Sequence, residues 1–241
     1  RPARTRRCAQ VVGPPSARSP RLVPRLVVFD LDGTISRRDT LVPYVLQHAL
    51  RHRPWRLLLL PAMLPVLLRF MTGRSDRGEL KGRLIALLLG GLQRADIDRW
   101  NAGYLPRLMG RGLFAGALER IASHRSAGDH LVLMSASVDL YVPEIGRRLG
   151  FAETVCSGVR WRGDALDGYL ATANRRDEEK ARCFRELAAR FAGFPTSAYG
   201  NSSSDLPHLV LADAPVLVNA RGPLRQAAER SGRPFEFVYW R

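Results

Sequence analysis

Apolar residues run unbroken through "RLVVFD" (Arg25 to Asp30) and stop at a turn signal, the pattern of a buried strand. Asp39 then reads as the N-cap of a helix through "TLVPYVLQHALRH". The helical period persists to about Gly112, with breaks at Pro54, Gly73 and Gly90-Gly91. Beyond Gly112 the rhythm changes. "LFAGALERIASHRSAG" is helical, "HLVLMS" is a buried strand, and "VDLYVPEIGRRLG" is a helix ending on glycine. "ETVCSGVRWRGDALDGYL" reads as a strand and a hairpin, with turns at Gly163-Asp164 and Asp167-Gly168. Helix "DEEKARCFRELAARF", strand "TSAYG", helix "SDLPHLVLA", strand "APVLVN" and helix "PLRQAAERS" follow.

Strands alternating with helices predict an α/β fold with a doubly wound, mostly parallel sheet. The all-helical block interrupts that alternation directly after the first strand, so it is expected to form an inserted cap. The predicted division is a disordered basic tail over 1–24, a catalytic core over 25–40 and 112–241, and a helical cap over 41–111.

Within the cap, "WRLLLLPAMLPVLLRFM" is the most apolar run. Its uninterrupted portion, Leu57 to Leu68, is shorter than the ~20 residues a spanning helix needs, and it contains Pro61 and Pro65. A buried or interfacial helix is expected ahead of a membrane-dipping one. Arg51, Arg53, Arg56, Arg69 and Arg74 flank it, as an anionic bilayer surface would favour; a solvated cap face would look the same.

Charge sharpens the picture. The formal net charge is +16, which favours anionic partners such as phosphorylated metabolites, anionic lipid or nucleic acid without choosing among them. The basic residues are nearly all arginine, Lys81 and Lys180 being the exceptions. The first 25 residues hold seven arginines, five prolines and no acid, and lack the apolar core of a secretory signal. They read as a disordered tail in preference to a transit peptide. Three scattered cysteines make neither a disulfide framework nor a zinc knuckle, which points to a reducing, cytoplasmic setting.

The candidate chemistry lies at strand ends. Ligands of open parallel sheets bind at the carboxyl ends of the strands. Four polar sites fall there: Asp30-Leu31-Asp32-Gly33-Thr34, Ser135, Lys180 one turn into its helix, and "GNSSSD" from Gly200 to Asp205. Two carboxylates delivered to one tight loop repel unless a cation or special chemistry uses them. Together the four sites describe phosphoryl transfer. Asp30 can attack phosphorus, and Asp32 can protonate the leaving alcohol and then deprotonate water. Ser135 and Lys180 can stabilise phosphoryl oxygens, and Mg2+ would neutralise the crowded acids. Taken singly, each site has a plainer reading as a turn, a helix cap or a solvated lysine.

In that order and spacing, "DLDGT", a serine after an apolar strand, a lone lysine and "YGNSSSDLP" resemble the haloacid dehalogenase superfamily of phosphatases. The helical insert after the first motif, with "LVLMSASVDLYV" and "AYGNSSSDLPHL", resembles its phosphoserine-phosphatase-like branch (subfamily IB). "RRDTLVPYVLQHALRHRPWRLLLLPAMLPVLL" resembles the bacterial phosphatidylglycerophosphatase C group. The resemblance runs from Leu26 to the C-terminus. It implies that Asp30 is the nucleophile and a Mg2+ ligand, and that Asp32 is the acid/base, with its carbonyl on the metal. It further implies that Thr34, Ser135 and Lys180 hold phosphate and that Asn201 and Asp205 complete the metal site. Asn201 stands where the family usually has aspartate, so weaker metal binding is expected there.

The function expected is a Mg2+-dependent phosphatase acting on a small phosphorylated metabolite or a lipid head-group phosphate such as phosphatidylglycerophosphate. It would be cytoplasmic, with peripheral contact to the inner face of the membrane through the cap. The alternative is a catalytically weakened protein acting as a basic membrane- or nucleic-acid-binding module, nucleic acid being the less favoured partner. A phospho-accepting receiver domain is disfavoured by the position of Asp32 and by the insert.

Overall fold

A computed structural model describes residues 23–241, so nearly all of the basic tail expected over 1–24 lies outside the described residues. At the centre is a six-stranded sheet in the order β3-β2-β1-β6-β7-β8, with every neighbouring pair parallel. β1 (Leu26–Phe29) lies between β2 (His130–Val138) and β6 (Thr196–Gly200). Its alternating side chains point to opposite faces. Val27 and Phe29 join a core with Tyr44, Leu105, Leu133 and Tyr141, whereas Leu26 and Val28 join another with Phe184, Leu187 and Leu209. Burial on both faces is why this strand reads as an unbroken apolar run rather than as an alternation.

β3 (Glu153–Ser157) and β7 (Ala214–Val218) extend the sheet on either side. β8 (Glu236–Val238), which the sequence pattern does not announce, adds a short edge strand beside β7. α5 (Ala115–Ser126) precedes β2, and the helix after β2, α6 (Val142–Leu149), ends on Gly150 in the left-handed region (φ 78°), as its sequence predicts.

The block after β1 is helical throughout. It comprises α1 (Leu41–His52), a 3-10 segment (Pro54–Met63), α2 (Leu64–Met71), α3 (Arg77–Leu89) and α4 (Arg94–Arg111). Asp39 caps α1 by accepting the Val42 N–H at 3.0 Å. The hairpin of β4 (Val159–Arg162) and β5 (Ala165–Leu170) has one turn, not two. Asp167-Gly168 lies inside β5, where Gly168 (φ 92°) meets α3 so closely that a Cβ would sit 2.6 Å from the Ala86 backbone. Backbone bonds from Gly91 to Leu166 (2.7 Å) and from Leu166 to Leu92 (2.8 Å) tie hairpin and helices together. The hairpin thus braces α3, and α3 carries Lys81.

Of the two alternatives for the apolar run, buried or interfacial, the structure removes the buried one. Between Pro54 and Met71 only Val66 is buried. The physical reason is periodicity. Proline at 61 breaks the α-helical ladder, and residues three apart eclipse in a 3-10 helix. Leu57 and Leu60 therefore pack on the core while Trp55 and Leu58 face outward.

Candidate active site

Asp30 follows β1 directly, its N–H bonded to the Tyr199 carbonyl at 3.0 Å. The chain then turns so tightly that Ile35 and Ser36 both donate to the Leu31 carbonyl, each at 2.9 Å. Gly33 makes this possible on two counts. Its φ is 83°, and a Cβ would collide with the Asn201 amide. The first and last motifs are therefore in contact across the strand ends.

Lys180, in the first turn of α7 (Asp177–Arg190), is buried. Its Nζ donates to Asp30 Oδ1 and to Asp205 Oδ1, both at 2.6 Å. The other Asp205 oxygen accepts the Asn201 and Ser202 N–H groups (3.1 and 3.0 Å) and the Ser202 hydroxyl (2.7 Å). Burial disfavours charge on Lys180, but the two carboxylates outweigh it and hold the ammonium well above its ordinary range. For Asp205 burial works in the same adverse direction, and the Lys180 charge wins and lowers the carboxyl. Asp30 behaves oppositely. Burial pushes it up to about 7 against the pull of Lys180, with Asp205 and Asp32 adding to the rise.

Asp32 is held by other groups. Oδ1 accepts the Thr40 N–H and hydroxyl, both at 2.7 Å, and Oδ2 accepts the Ser137 hydroxyl at 2.6 Å. Burial still raises its carboxyl above the ordinary range despite these three donors. Burial thus raises both carboxyls; their partners tell them apart, Lys180 and Thr34 on Asp30, and Thr40 and Ser137 on Asp32.

Asp30, Asp32, Lys180 and Asp205 line one cavity of about 400 Å3. Thr34 and Asn201 stand behind Asp30: the Thr34 hydroxyl lies 2.9 Å from Asp30 Oδ2 and 3.3 Å from Asn201 Oδ1. Ser135 is buried within β2, its Oγ accepting the Ser137 N–H at 3.0 Å. β2 continues three residues past it, so neither Ser135 nor Ser137 caps a helix. Ala136 and Ser137 form the β2 wall of the cavity.

Three participants escape a reading by motif: Thr40, Ser137 and Lys81. Lys81 reaches the cavity from α3, donating to Asn174 Oδ1 at 2.7 Å and to the Ala136 carbonyl. Burial lowers its ammonium to about 8. The available signal was its rarity, as one of only two lysines.

Beside the Lys180 ammonium, the groups nearest Asp30 that could ligate a metal are oxygens, the Thr34 hydroxyl and Asn201 Oδ1, which suits a hard cation such as Mg2+. Among the described residues no three His, Cys, Asp or Glu side chains are grouped so that they alone could hold a metal ion. A metal site here must draw on neutral oxygens as well, and Asn201 Oδ1 beside the Thr34–Asp30 pair is such a donor. The cost of ionising Asp30 where it is buried fits the same conclusion.

Comparison with known proteins decides the family. Residues 27–209 match the family described as haloacid dehalogenase-like hydrolase. The chain belongs to the haloacid dehalogenase-like hydrolases. Protein CicA of Caulobacter vibrioides is 29% identical over 191 residues, covering 79% of this chain and 84% of that protein. A Mycobacterium tuberculosis protein described as a probable phosphatase is 34% identical over 125 residues, 51% of this chain and 43% of that one. A substrate-bound phosphoserine phosphatase structure superposes with a TM-score of 0.61 at 16% identity, covering 89% of this chain and 92% of that one. That likeness shows a shared fold, and the family match makes the chain a haloacid dehalogenase-like hydrolase.

Proposed function

We propose that the protein hydrolyses a phosphomonoester in two steps, through an aspartyl-phosphate on Asp30. The observation that carries this reading is the division of labour between the two carboxylates. Asp30 is bound by Lys180 and Thr34, and Asp32 by Thr40 and Ser137. In the first step an Asp30 oxygen bonds to phosphorus, the ester oxygen departs, and Asp32 gives that oxygen its proton. In the second step water attacks the acyl phosphate, Asp32 takes the water's proton, and inorganic phosphate leaves. Lys180, Thr34 and Ser135 are assigned to the phosphoryl oxygens, Lys180 by charge and the hydroxyls by hydrogen bonds.

Asp30, the Asp32 carbonyl and Asn201 would hold Mg2+, with Asp205 fixing the loop that presents Asn201. Bound there, the metal supplies compensating charge to the nucleophile and the phosphate. Residues 41–111 act as the cap and supply Leu41, Val42, Met63, Arg77, Leu80, Lys81 and Leu84 to the cavity. This mixture of apolar and cationic groups suits a leaving group with an apolar portion and further negative charge, so a lipid head-group phosphate is favoured over a small polar metabolite. The enzyme is then a cytoplasmic one working at the inner membrane face.

The test is a phosphatase screen with Mg2+, spanning soluble phosphomonoesters and phosphatidylglycerophosphate in detergent. Turnover of the lipid with higher kcat/KM supports the full reading. Turnover of soluble esters alone removes the lipid assignment, and no turnover with any substrate removes the hydrolytic one.

A further inference from the structure

The segment Pro54–Met71 is, among the described residues, the one stretch long and apolar enough by composition to cross a membrane. Its structure argues for a different use. One side holds it to the domain: Leu57 and Leu60 pack on the core, Val66 is buried, and Arg56 donates to the Leu87 carbonyl at 3.0 Å. The other side is apolar and open. Trp55 and Leu58 project from the 3-10 segment at the three-residue spacing that eclipses side chains. Leu64, Leu67, Leu68 and Met71 continue along α2 at the spacing of one helical face. Leu58 is 81% exposed and Met71 74% exposed. Scattered exposed leucines need no explanation, but a contiguous stripe does.

Charge complementarity identifies what covers it. Arg51 lies before the stripe, and Arg69 and Arg74 at and beyond its end; all three are exposed. An apolar stripe bordered by arginines matches a bilayer interface, where apolar side chains enter the acyl boundary and cations meet anionic head groups. Position adds to this. Met63, at the junction of the 3-10 segment and α2, lines the catalytic cavity, as does the exposed Val42. The stripe therefore runs to the rim of the cavity.

We propose that this face of the cap docks the protein onto an anionic phospholipid bilayer, lying in the interface plane without crossing it, with the cavity rim beside the lipid surface. Docking does not depend on the phosphatase reading, and binding is measured without turnover. The experiment is co-sedimentation of the full chain with vesicles of phosphatidylcholine, with and without phosphatidylglycerol. The expected result is binding that needs phosphatidylglycerol and weakens with salt. Leu58→Glu/Leu68→Glu/Met71→Glu should reduce partitioning at least about tenfold, since each change removes apolar area from the acyl boundary. Arg51→Gln/Arg74→Gln should reduce it on anionic vesicles. Circular dichroism and hydrolysis of a soluble phosphomonoester, compared with wild type, show that the variants are folded. No binding by wild type overturns the proposal, as does wild-type binding by the triple glutamate variant. So does a lipid-free dimer that the triple variant dissociates, because a second copy would then cover the face.

Discussion

Asp205 Oδ1 lies 2.6 Å from the Lys180 ammonium, and the other oxygen of the same carboxylate closes the loop that carries Asn201. One side chain thus joins Lys180 to the loop facing Gly33. Asp205 is accordingly a positioning residue whose oxygens are already engaged. Asp205→Asn should cost stability, on the order of 3–5 kcal/mol for breaking a buried pair, and should lower kcat. Denaturant unfolding and steady-state kinetics check both. Asp205 has a depressed carboxyl, so its contribution is present above the ordinary carboxylate range and fades as pH falls below it. The stability difference between wild type and variant should therefore shrink in acid.

Asp30 should show the opposite trade. Burial raises its carboxyl to about 7, so ionising it in the folded protein costs free energy, about 1.4 kcal/mol per pH unit of upward displacement. Below the ordinary carboxylate range that cost is absent, and it grows until pH passes about 7. Asp30→Asn should abolish turnover yet raise Tm in chelator, more at pH 8 than at pH 4. A lower Tm at pH 8 would contradict the burial argument.

Lys180→Ala should cost roughly 2–4 kcal/mol in kcat/KM, the range for losing one preorganised charge-stabilising group. Lys81 enters from the cap, so Lys81→Met should act mainly on KM. Its ammonium titrates near pH 8. The cation is present below that pH and lost above it, so wild-type KM for an anionic leaving group should rise above pH 8. That rise should be missing in the variant. A larger kcat loss in Lys81→Met than in Lys180→Ala would reverse the two roles.

How much of this was legible follows from what each residue depends on. Asp30, Asp32, Lys180 and Asp205 converge because parallel strands end on one rim, and the strands themselves could be read from apolar runs. Thr40, Ser137 and Lys81 depend on how the cap and hairpin pack, which no local pattern encodes. Ser137 lies past the apolar stretch of β2, where the strand runs on to Val138 without a hydrophobic signal. The hairpin misled through Gly168, which serves close approach to Ala86 and not a turn. The apolar run did not announce its exposure: two of the four leucines in the 3-10 segment and all three in α2 face outward.

Asn201 stands where the resemblance leads one to expect an aspartate, and the structure gives it a definite neighbourhood. Its Oδ1 lies 3.3 Å from the Thr34 hydroxyl, itself 2.9 Å from Asp30, so a carboxylate at 201 would join an already crowded set of acids. Without metal, Asn201→Asp adds repulsion that burial amplifies, and Tm in chelator should fall. With Mg2+ the added charge meets a cation directly and binding should tighten by ~1–3 kcal/mol at an effective dielectric near 20. The midpoint of a Mg2+ titration should then drop, whether read by phosphatase rate or by the rise in Tm. Gly33→Ala tests the same contact from the other side, because a methyl there displaces the Asn201 amide, so its Mg2+ midpoint should rise. If both midpoints match wild type while Tm in chelator shifts as expected, Asn201 neighbours Asp30 without holding metal, and the cation site must be sought elsewhere along the cavity.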